Sequence, residues 1–432
     1  MDNIQTIKGT KDILPEEIPY WQQIEAVASE ILGKAMYNEI RCPIFEDTNI
    51  FERGIGEATD VVGKEMYTFF DRGERSITLR PEGTAGVVRA YIEHSLYAQS
   101  GVQRLWYKGP MFRYEQPQEG RQRQFHQIGV ELLGPQTPRA DVEVIAIGVD
   151  ILQKLGLKSL HLSINSVGNK EDRINYREAL VNYLTPYKSE LDADSQDRLT
   201  RNPLRILDSK DEKTKEIVKN APNIIDYLSD NSKKHFDQVQ QLLTDLDIDY
   251  ELNPCLVRGL DYYTHTAFEI ISNDLGSQST VCGGGRYDGL VKELGGKDTP
   301  AVGWALGMER LIILLKKQHQ ILKKIPDFYF ISKGEKAEAK ALILTQKLRN
   351  LGFTVELDLS GVAFKKQFKR GNSSGAYACL VLGEEEAQEN TINLKWMKSK
   401  QQETFSQSKL LEMNEEIHQK INELKNNLSV FN

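Results

Sequence analysis

The sequence predicts a mixed α/β protein of two or three domains, with a helical segment set into the first, and three observations carry that prediction. Up to about residue 170, amphipathic helical stretches alternate with short strand-like runs bounded by Gly and Pro. Between about 171 and 250 glycine is absent, Lys, Asp, Glu and Asn rise, and helical spacing dominates. From Asp327 strand and helix patterns alternate regularly, the rhythm of a small α/β domain with at least partly parallel strands. A length of 432 residues accommodates all three parts.

In chain order, Tyr20–Met36 is a predicted helix, with Ile24, Val27, Ala28, Ile31, Leu32 and Ala35 at helical spacing. Arg75–Leu79, Arg104–Gly109 and Gln127–Leu133 read as strands, Val142–Leu155 as a helix and Leu160–Asn165 as a strand. Arg177–Leu184 and Phe236–Leu246 are helical stretches of the inserted segment. Residues 251–316 return to a Gly-rich texture and end in a predicted helix, Val302–Leu315. The polar, basic stretch Gln318–Pro326 reads as a linker. Beyond it come strand Phe328–Ile331, helix Ala337–Asn350, strand Thr354–Leu357, helix Val362–Arg370 and strand Tyr377–Leu382. The expected divisions are 1–325, with the insertion at about 171–250, and 326–432.

Composition excludes several classes. Apolar residues make up 40% and charged residues 27%, ordinary for a globular protein. No run approaches the ~20 apolar residues of a membrane helix, and Met1–Glu17 lacks the apolar core of a signal peptide. A cytoplasmic protein without membrane contact is expected. Cys42, Cys255, Cys282 and Cys379 stand singly, without a CxxC pair, so no structural zinc site is expected and no metal ligands are assigned. The net charge of −7 argues against non-specific coating of nucleic acid, while leaving room for a local basic surface that meets one shaped RNA.

The chemistry must be read from side chains, because the familiar phosphate loops are missing. No GxxxxGK[ST] sequence occurs, and Gly283–Gly289 fails GxGxxG because Asp288 stands at the last glycine position. A nucleotide would then be held by arginine, whose planar fork binds phosphate oxygens in pairs. Arg113 in MFRYE, Arg258 in LVRGLDYY and Arg310 in ALGMERL stand in suggestive places. Taken singly, each reads as a surface or ion-paired arginine. Their joint context is more specific: Phe-Arg-x-Glu before a polar loop, together with a distant Gly-Met-Glu-Arg on a helix, resembles motifs 2 and 3 of class II aminoacyl-tRNA synthetases. Tyr20–Met36 followed by Pro43 within Ile40–Phe45 is similar to motif 1.

Three longer signatures narrow the resemblance to the histidyl-tRNA synthetases: Thr78–Arg89 (TLRPEGTAGVVR), Gly109–Glu131 (GPMFRYEQPQEGRQRQFHQIGVE) and Leu256–Glu269 (LVRGLDYYTHTAFE). The likeness runs from Lys8–Pro15 (KGTKDILP) to Lys365–Gly375, and touches the insertion at Asn202–Asp208 (NPLRILD). It implies an α+β catalytic domain, an antiparallel sheet flanked by helices, with a helical insertion and a C-terminal α/β anticodon-binding domain. It also implies a homodimer. The implied reaction forms histidyl-adenylate from ATP and L-histidine, with Mg²⁺ on the phosphates, and then charges tRNA(His). The resemblance gives Arg113 and Arg258 to catalysis, and Arg113, Glu115, Arg121, Phe125 and Arg310 to ATP. It gives Glu82, Thr84 and Gln127 to the α-amino group and Glu131 and Tyr263 to the imidazole, with Tyr262 and Tyr287 nearby. Gln118 and Arg123 would meet the acceptor end of the tRNA, and Lys365, Lys366, Lys369 and Arg370 the anticodon. Gln116 departs from the arginine expected there, removing one charge from the acceptor-end contacts.

Plainer readings stand beside these. Glu82 could cap a helix or pair with a cation, and His126 next to Phe125 reads as structural. Tyr262 and Tyr263 on a strand would face opposite sides, so that only one would point into a pocket. The glycines at 283–285 read as allowing close backbone approach. The rival function is a histidine-sensing regulatory subunit; such proteins lack the RGLDYY arginine motif and the last domain, both present here. A synthetase for proline or threonine is disfavoured by Glu131 and the tyrosine pair.

Overall fold

The computed structural model describes residues 4–56, 59–99, 101–318 and 325–429. The chain forms two compact units, one ending at Ile321 and one beginning at Leu322. Residues 319–324, most of the expected linker, lie outside the described residues.

Among the described residues the first unit contains eleven strands: β1 (Asn38–Glu39), β2 (Phe45–Asp47), β3 (Tyr67–Phe70), β4 (Ser76–Leu79), β5 (Gln103–Phe112), β6 (Gln124–Leu133), β7 (Leu160–Ser166), β8 (Glu251–Leu252), β9 (Thr264–Ser272), β10 (Thr280–Arg286) and β11 (Ala301–Gly307). Eight of them form one sheet in the order β1-β5-β6-β11-β10-β9-β7-β8. Its six central strands are antiparallel; β1 and β8 join the two edges in parallel. Strands β2, β4 and β3 make a separate small antiparallel sheet.

Alternation along the strands gives the large sheet two different faces. Ile128, Val130 and Leu132 of β6 and Val302, Trp304 and Leu306 of β11 pack into a core with helices Ile18–Lys34, Pro138–Lys154 and Met308–Gln318. The intervening residues face the other way, and Gly129 of β6 and Gly303, Ala305 and Gly307 of β11 are small. Register places Tyr107, Gly129, Ala305, Gly283 and Glu269 side by side across five neighbouring strands. This row of small residues between a tyrosine and a glutamate leaves a trough on the open face.

The same alternation corrects one expectation. Val302–Leu315 is not one helix: Ala301–Gly307 is a strand, and the helix starts at Met308. Gly303 and Gly307 are poor helix residues, and Val302, Trp304 and Leu306 recur with period two. An unbroken apolar composition masked that period.

The insertion packs helices Lys170–Leu184, Ala193–Arg201, Glu212–Val218 and Asp230–Asp245. Asn169, Asp192 and Asp211 cap the first three, each accepting a backbone N–H of the first turn at 2.8–3.0 Å. Phe236, Val239 and Leu243 of the fourth join the core beneath the large sheet.

The second unit holds β12 (Phe328–Ser332), β13 (Val355–Leu357), β14 (Ala378–Leu382), β15 (Thr391–Trp396) and β16 (Gln402–Ser406), ordered β13-β12-β14-β15-β16. The pairs β12–β13 and β12–β14 are parallel; β14–β15 and β15–β16 are antiparallel. Helix Phe364–Ser374 buries Gln367 and exposes Lys365, Lys366, Lys369 and Arg370. Arg370 also reaches Asp358 at 3.4 Å.

Candidate active site

The trough opens into a cavity of about 810 Å³. It brings together residues scattered over two hundred positions: Glu82, Thr84, Arg113, Glu115, Arg121, Phe125, Gln127, Arg258, Tyr262, Tyr263, Tyr287 and Arg310 all line it.

Four of these are arginines, two of them from the β5–β6 loop. Arg113 follows the end of β5, where its Nε donates to the Pro81 carbonyl at 2.8 Å and its guanidinium lies 5.4 Å from the Phe125 ring. Arg121 sits in the β5–β6 loop and pairs with Glu115, one N–H···O contact measuring 2.8 Å. Arg258 precedes β9, pairs with Glu269 and lies 5.9 Å from the Tyr263 ring, with its buried Nε unpartnered. Arg310, on helix Met308–Gln318, donates to the Gly120 carbonyl at 3.3 Å and to that of Thr280. Burial lowers its pKa, and the positive charges of Arg121, Arg113 and Arg258 push the same way against Glu115. A polyanion would relieve that repulsion. Burial works against ionisation of Glu115, but the Arg121 hydrogen bond and the charges of Arg113 and Arg121 hold its carboxyl below the usual value.

Gly283 makes room for Arg258: a Cβ there would stand 2.4 Å from Nη2. At Gly83 and Gly129 a Cβ would stand 2.2 Å from the Tyr107 ring, so both glycines let this tyrosine fold over the floor.

The inner end of the cavity is polar and buried. Glu82 accepts the backbone N–H groups of Thr84 and Ala85 at 2.6 and 2.8 Å, at the start of helix Thr84–Glu93. It is therefore a cap and a cavity-lining carboxyl at once. Thr84 Oγ1 donates to Glu131 at 2.7 Å, and the Tyr287 hydroxyl donates to the other oxygen of that carboxyl. Glu131 is fully buried just under the lining residues; burial pushes its pKa up to about 8, against the lowering effect of those two hydrogen bonds, and Glu82 adds to the rise. Gln127 Oε1 and the Tyr107 hydroxyl are buried without partners. Such groups are costly unless something completes them.

Tyr262 and Tyr263 depart from the strand expectation. They lie in the irregular segment before β9, their rings 4.7 Å apart, and both line the cavity. Period two holds only within a ladder, and these residues are outside one.

Other expected residues lie elsewhere. Gln118 forms an isolated bridge with Arg121 in the β5–β6 loop. Arg123 is partly buried, stacking 3.9 Å from the Tyr114 ring centre and donating to the Glu115 carbonyl at 3.1 Å. The basic helix Phe364–Ser374 belongs to the second unit. His126 is held by Glu309 at 2.9 Å and meets Trp21 edge-on.

Tyr107, Glu269 and Glu65, and the insertion's Arg198 and Arg205, none of them among the expected site residues, also line the cavity. Glu269 was within reach, since it closes the LVRGLDYYTHTAFE signature. Tyr107 needed the register that sets it opposite Gly129. Among the described residues there is no group of three His, Cys, Asp or Glu side chains able to hold a metal ion.

Comparison with known proteins places these features. A family model described as histidyl-tRNA synthetase matches residues 9–311, and one described as anticodon-binding domain matches residues 327–417. A protein of Rippkaea orientalis named histidine–tRNA ligase is 73% identical over 411 residues, covering 95% of this chain and 96% of its own. One of the same name from Crocosphaera subtropica is 72% identical, covering 95% of each. The crystal structure of apo histidyl-tRNA synthetase from S. aureus superposes with a TM-score of 0.78 at 40% identity, over 95% of this chain and 99% of that one.

Proposed function

The chain belongs to the histidyl-tRNA synthetase family, and from that premise we propose how its site performs a histidine–tRNA ligase reaction. L-Histidine and ATP give histidyl-adenylate and pyrophosphate; histidine then passes to the 3′ end of tRNA(His) with release of AMP. The observation that carries the reading is the convergence of Arg113, Arg121, Arg258 and Arg310 on one cavity whose inner end holds Glu131 and the tyrosines.

In the first step the histidine carboxylate attacks the α-phosphorus. The new P–O bond forms as the bond to the β-phosphate bridging oxygen breaks, and pyrophosphate leaves. Two anions must meet, so fixed cations that shield them and stabilise the transition state supply much of the catalysis. Arg258 and Arg113 fill that role, one from either side of the trough. Phe125 stacks on adenine, Glu115 accepts from its amino group, and Arg121 and Arg310 take the outer phosphates. Arg121 must then exchange its grip on Glu115 for phosphate oxygens. Mg²⁺ arrives as part of the nucleotide substrate, since a small hard cation needs few protein ligands once phosphates bind it.

Glu82, Thr84 and the free Oε1 of Gln127 receive the α-amino group. Glu131 and Tyr263 meet the two ring nitrogens, with Tyr287 and Tyr262 fixing the surround. An imidazole presents a donor and an acceptor, and a competitor lacking either leaves buried groups unpaired, a penalty that can reach ~10⁴-fold in discrimination. Gln118 and Arg123 serve the acceptor end; Arg123 must leave its stack on Tyr114 to do so. Residues 1–325 form the catalytic domain, with the insertion at about 171–250, and residues 326–432 the anticodon-binding domain, where Lys365, Lys366, Lys369 and Arg370 face the RNA.

The proposed assembly is a C₂ homodimer in the cytoplasm. Ile44, Phe45, Phe69 and Phe70 are exposed on and beside the small sheet, an apolar surface suited to burial against a second copy. Light scattering at micromolar concentration should give twice the chain mass; a monomer would refute the dimer. Among the described residues no helix is long and apolar enough to cross a membrane.

The deciding experiment is ATP–pyrophosphate exchange with each standard amino acid in parallel. Exchange with histidine alone is expected. Histidine binding without exchange would favour a regulatory subunit, and exchange with another amino acid would overturn the pocket assignment.

A further inference from the structure

The segment that carries Arg258 and Tyr263 is irregular in its backbone. Residues 256–263 lie outside any strand or helix, between β8 and β9, so no ladder fixes their backbone. The first unit's main body holds it at several points: Asn165 donates to the Leu256 carbonyl at 3.0 Å, the Asp261 N–H donates to the Ile55 carbonyl at 3.1 Å, Arg258 pairs with Glu269, and Val257, Tyr262 and Tyr263 are buried in the core beside Tyr107 and Tyr287.

The backbone between Gly259 and Tyr263 is held further by the insertion. Arg173, on helix Lys170–Leu184, donates through Nη1 to the carbonyls of Asp261 at 3.0 Å and Tyr263 at 2.6 Å. Asn202, which ends helix Ala193–Arg201, donates through Nδ2 to Asp261 Oδ1 at 2.6 Å. Arg205 lies against Gly259, where a Cβ would stand 3.1 Å from its Nη1. Asn202 and Arg205 belong to NPLRILD, the stretch of the insertion that the sequence singled out and that the reaction left without a task.

We propose that Asn202, Arg205 and Arg173 are positioning residues, through which the insertion sets the Arg258–Tyr263 segment in its reactive place. The inference rests on the ligase reading and adds a part to it. The residues act through Asp261, Gly259 and the Tyr263 carbonyl rather than on the reacting atoms. Burial pushes the Asp261 carboxyl up, while the Asn202 hydrogen bond and the charges of Arg173 and Arg205 pull it back. The insertion thus supplies every group that favours the ionised form of this buried acid. Placement matters because a displacement of about 1 Å can cost ~10²-fold in rate.

The test is a donor–acceptor exchange at one hydrogen bond. Asn202→Asp sets two carboxylates face to face; adding Asp261→Asn restores a pair with the roles reversed. In histidine-dependent pyrophosphate exchange, Asn202→Asp should lower kcat by about 10- to 100-fold and raise the KM for histidine, while the double variant recovers most of both. Asn202→Ala serves as the milder variant should Asn202→Asp fail to fold. Tyr183→Phe is the control: it removes a hydrogen bond within the insertion, Tyr183 to the Ile217 carbonyl at 2.9 Å, away from the segment. It should lower the melting temperature and leave kcat unchanged. Wild-type kcat in Asn202→Ala or Asn202→Asp would overturn the inference, as would an unrecovered double variant that is folded, or equal loss of kcat in Tyr183→Phe. Absence of histidine-dependent exchange in the wild type would instead refute the ligase reading itself.

Discussion

Arg258 and Glu131 show how much a single side chain is asked to do. In the proposed reaction Arg258 matters most as the two anions meet, so Arg258→Ala should slow single-turnover adenylate formation by about 10²–10³-fold, with a much smaller change in ATP affinity. An adenylate burst near the wild-type rate would refute that role. Glu131 makes a prediction in pH. Its folded pKa of about 8 lies above the ordinary carboxylate value. The protonated form is therefore favoured by folding, and the stability it contributes is complete below the unfolded pKa and lost as pH rises through about 8. Glu82 is raised by burial too and acts in the same direction. In the unliganded protein, Glu131→Gln should flatten the fall of melting temperature across that window, as read by calorimetry. It should also reduce kcat/KM for histidine by about 10²-fold, since an amide replaces the carboxylate at the ring.

Elements explain what the sequence could and could not disclose. The motif residues Arg113, Glu115, Arg258 and Arg310 were legible because their chemistry travels with short local patterns. Tyr107 and the trough were hidden, because they exist only through the register that aligns Gly129, Ala305 and Gly283. Val302–Leu306 was misread for a related reason: its trough-facing residues, Gly303 and Ala305, are small rather than polar, so composition alone does not reveal the period. The Tyr262–Tyr263 error had the opposite origin, a strand period applied to a segment with no strand. Gly283 tests the trough directly. Gly283→Ala would bring a Cβ against the far end of the Arg258 side chain, which can move at little cost to the fold. Its kcat in pyrophosphate exchange should fall by about 10- to 100-fold, with a melting temperature within a few degrees of wild type. A normal kcat would mean that Arg258 reaches its working position by another path.

At the scale of the molecule, two units divide the work. The basic helix Phe364–Ser374 lies in the second, and its Lys365, Lys366 and Lys369 are exposed. Replacing the three with alanine should raise the KM for tRNA and weaken its salt dependence, leaving pyrophosphate exchange intact. Loss of exchange in that variant would mean that the helix does more than face RNA.

The four converging arginines carry one more implication, for the upkeep of the protein. With no nucleotide bound, the half-buried Arg310 faces the positive charges of Arg121, Arg113 and Arg258, and folding must bear that repulsion. A bound polyanion relieves it, and that relief is part of the binding free energy by which mass action stabilises the folded chain, about 2.7 kcal/mol at a hundred times the dissociation constant. Nucleotide supply would then regulate not only how fast the ligase turns over but how long each copy survives: in an energy-starved cell, the empty chains would be the first exposed to proteases.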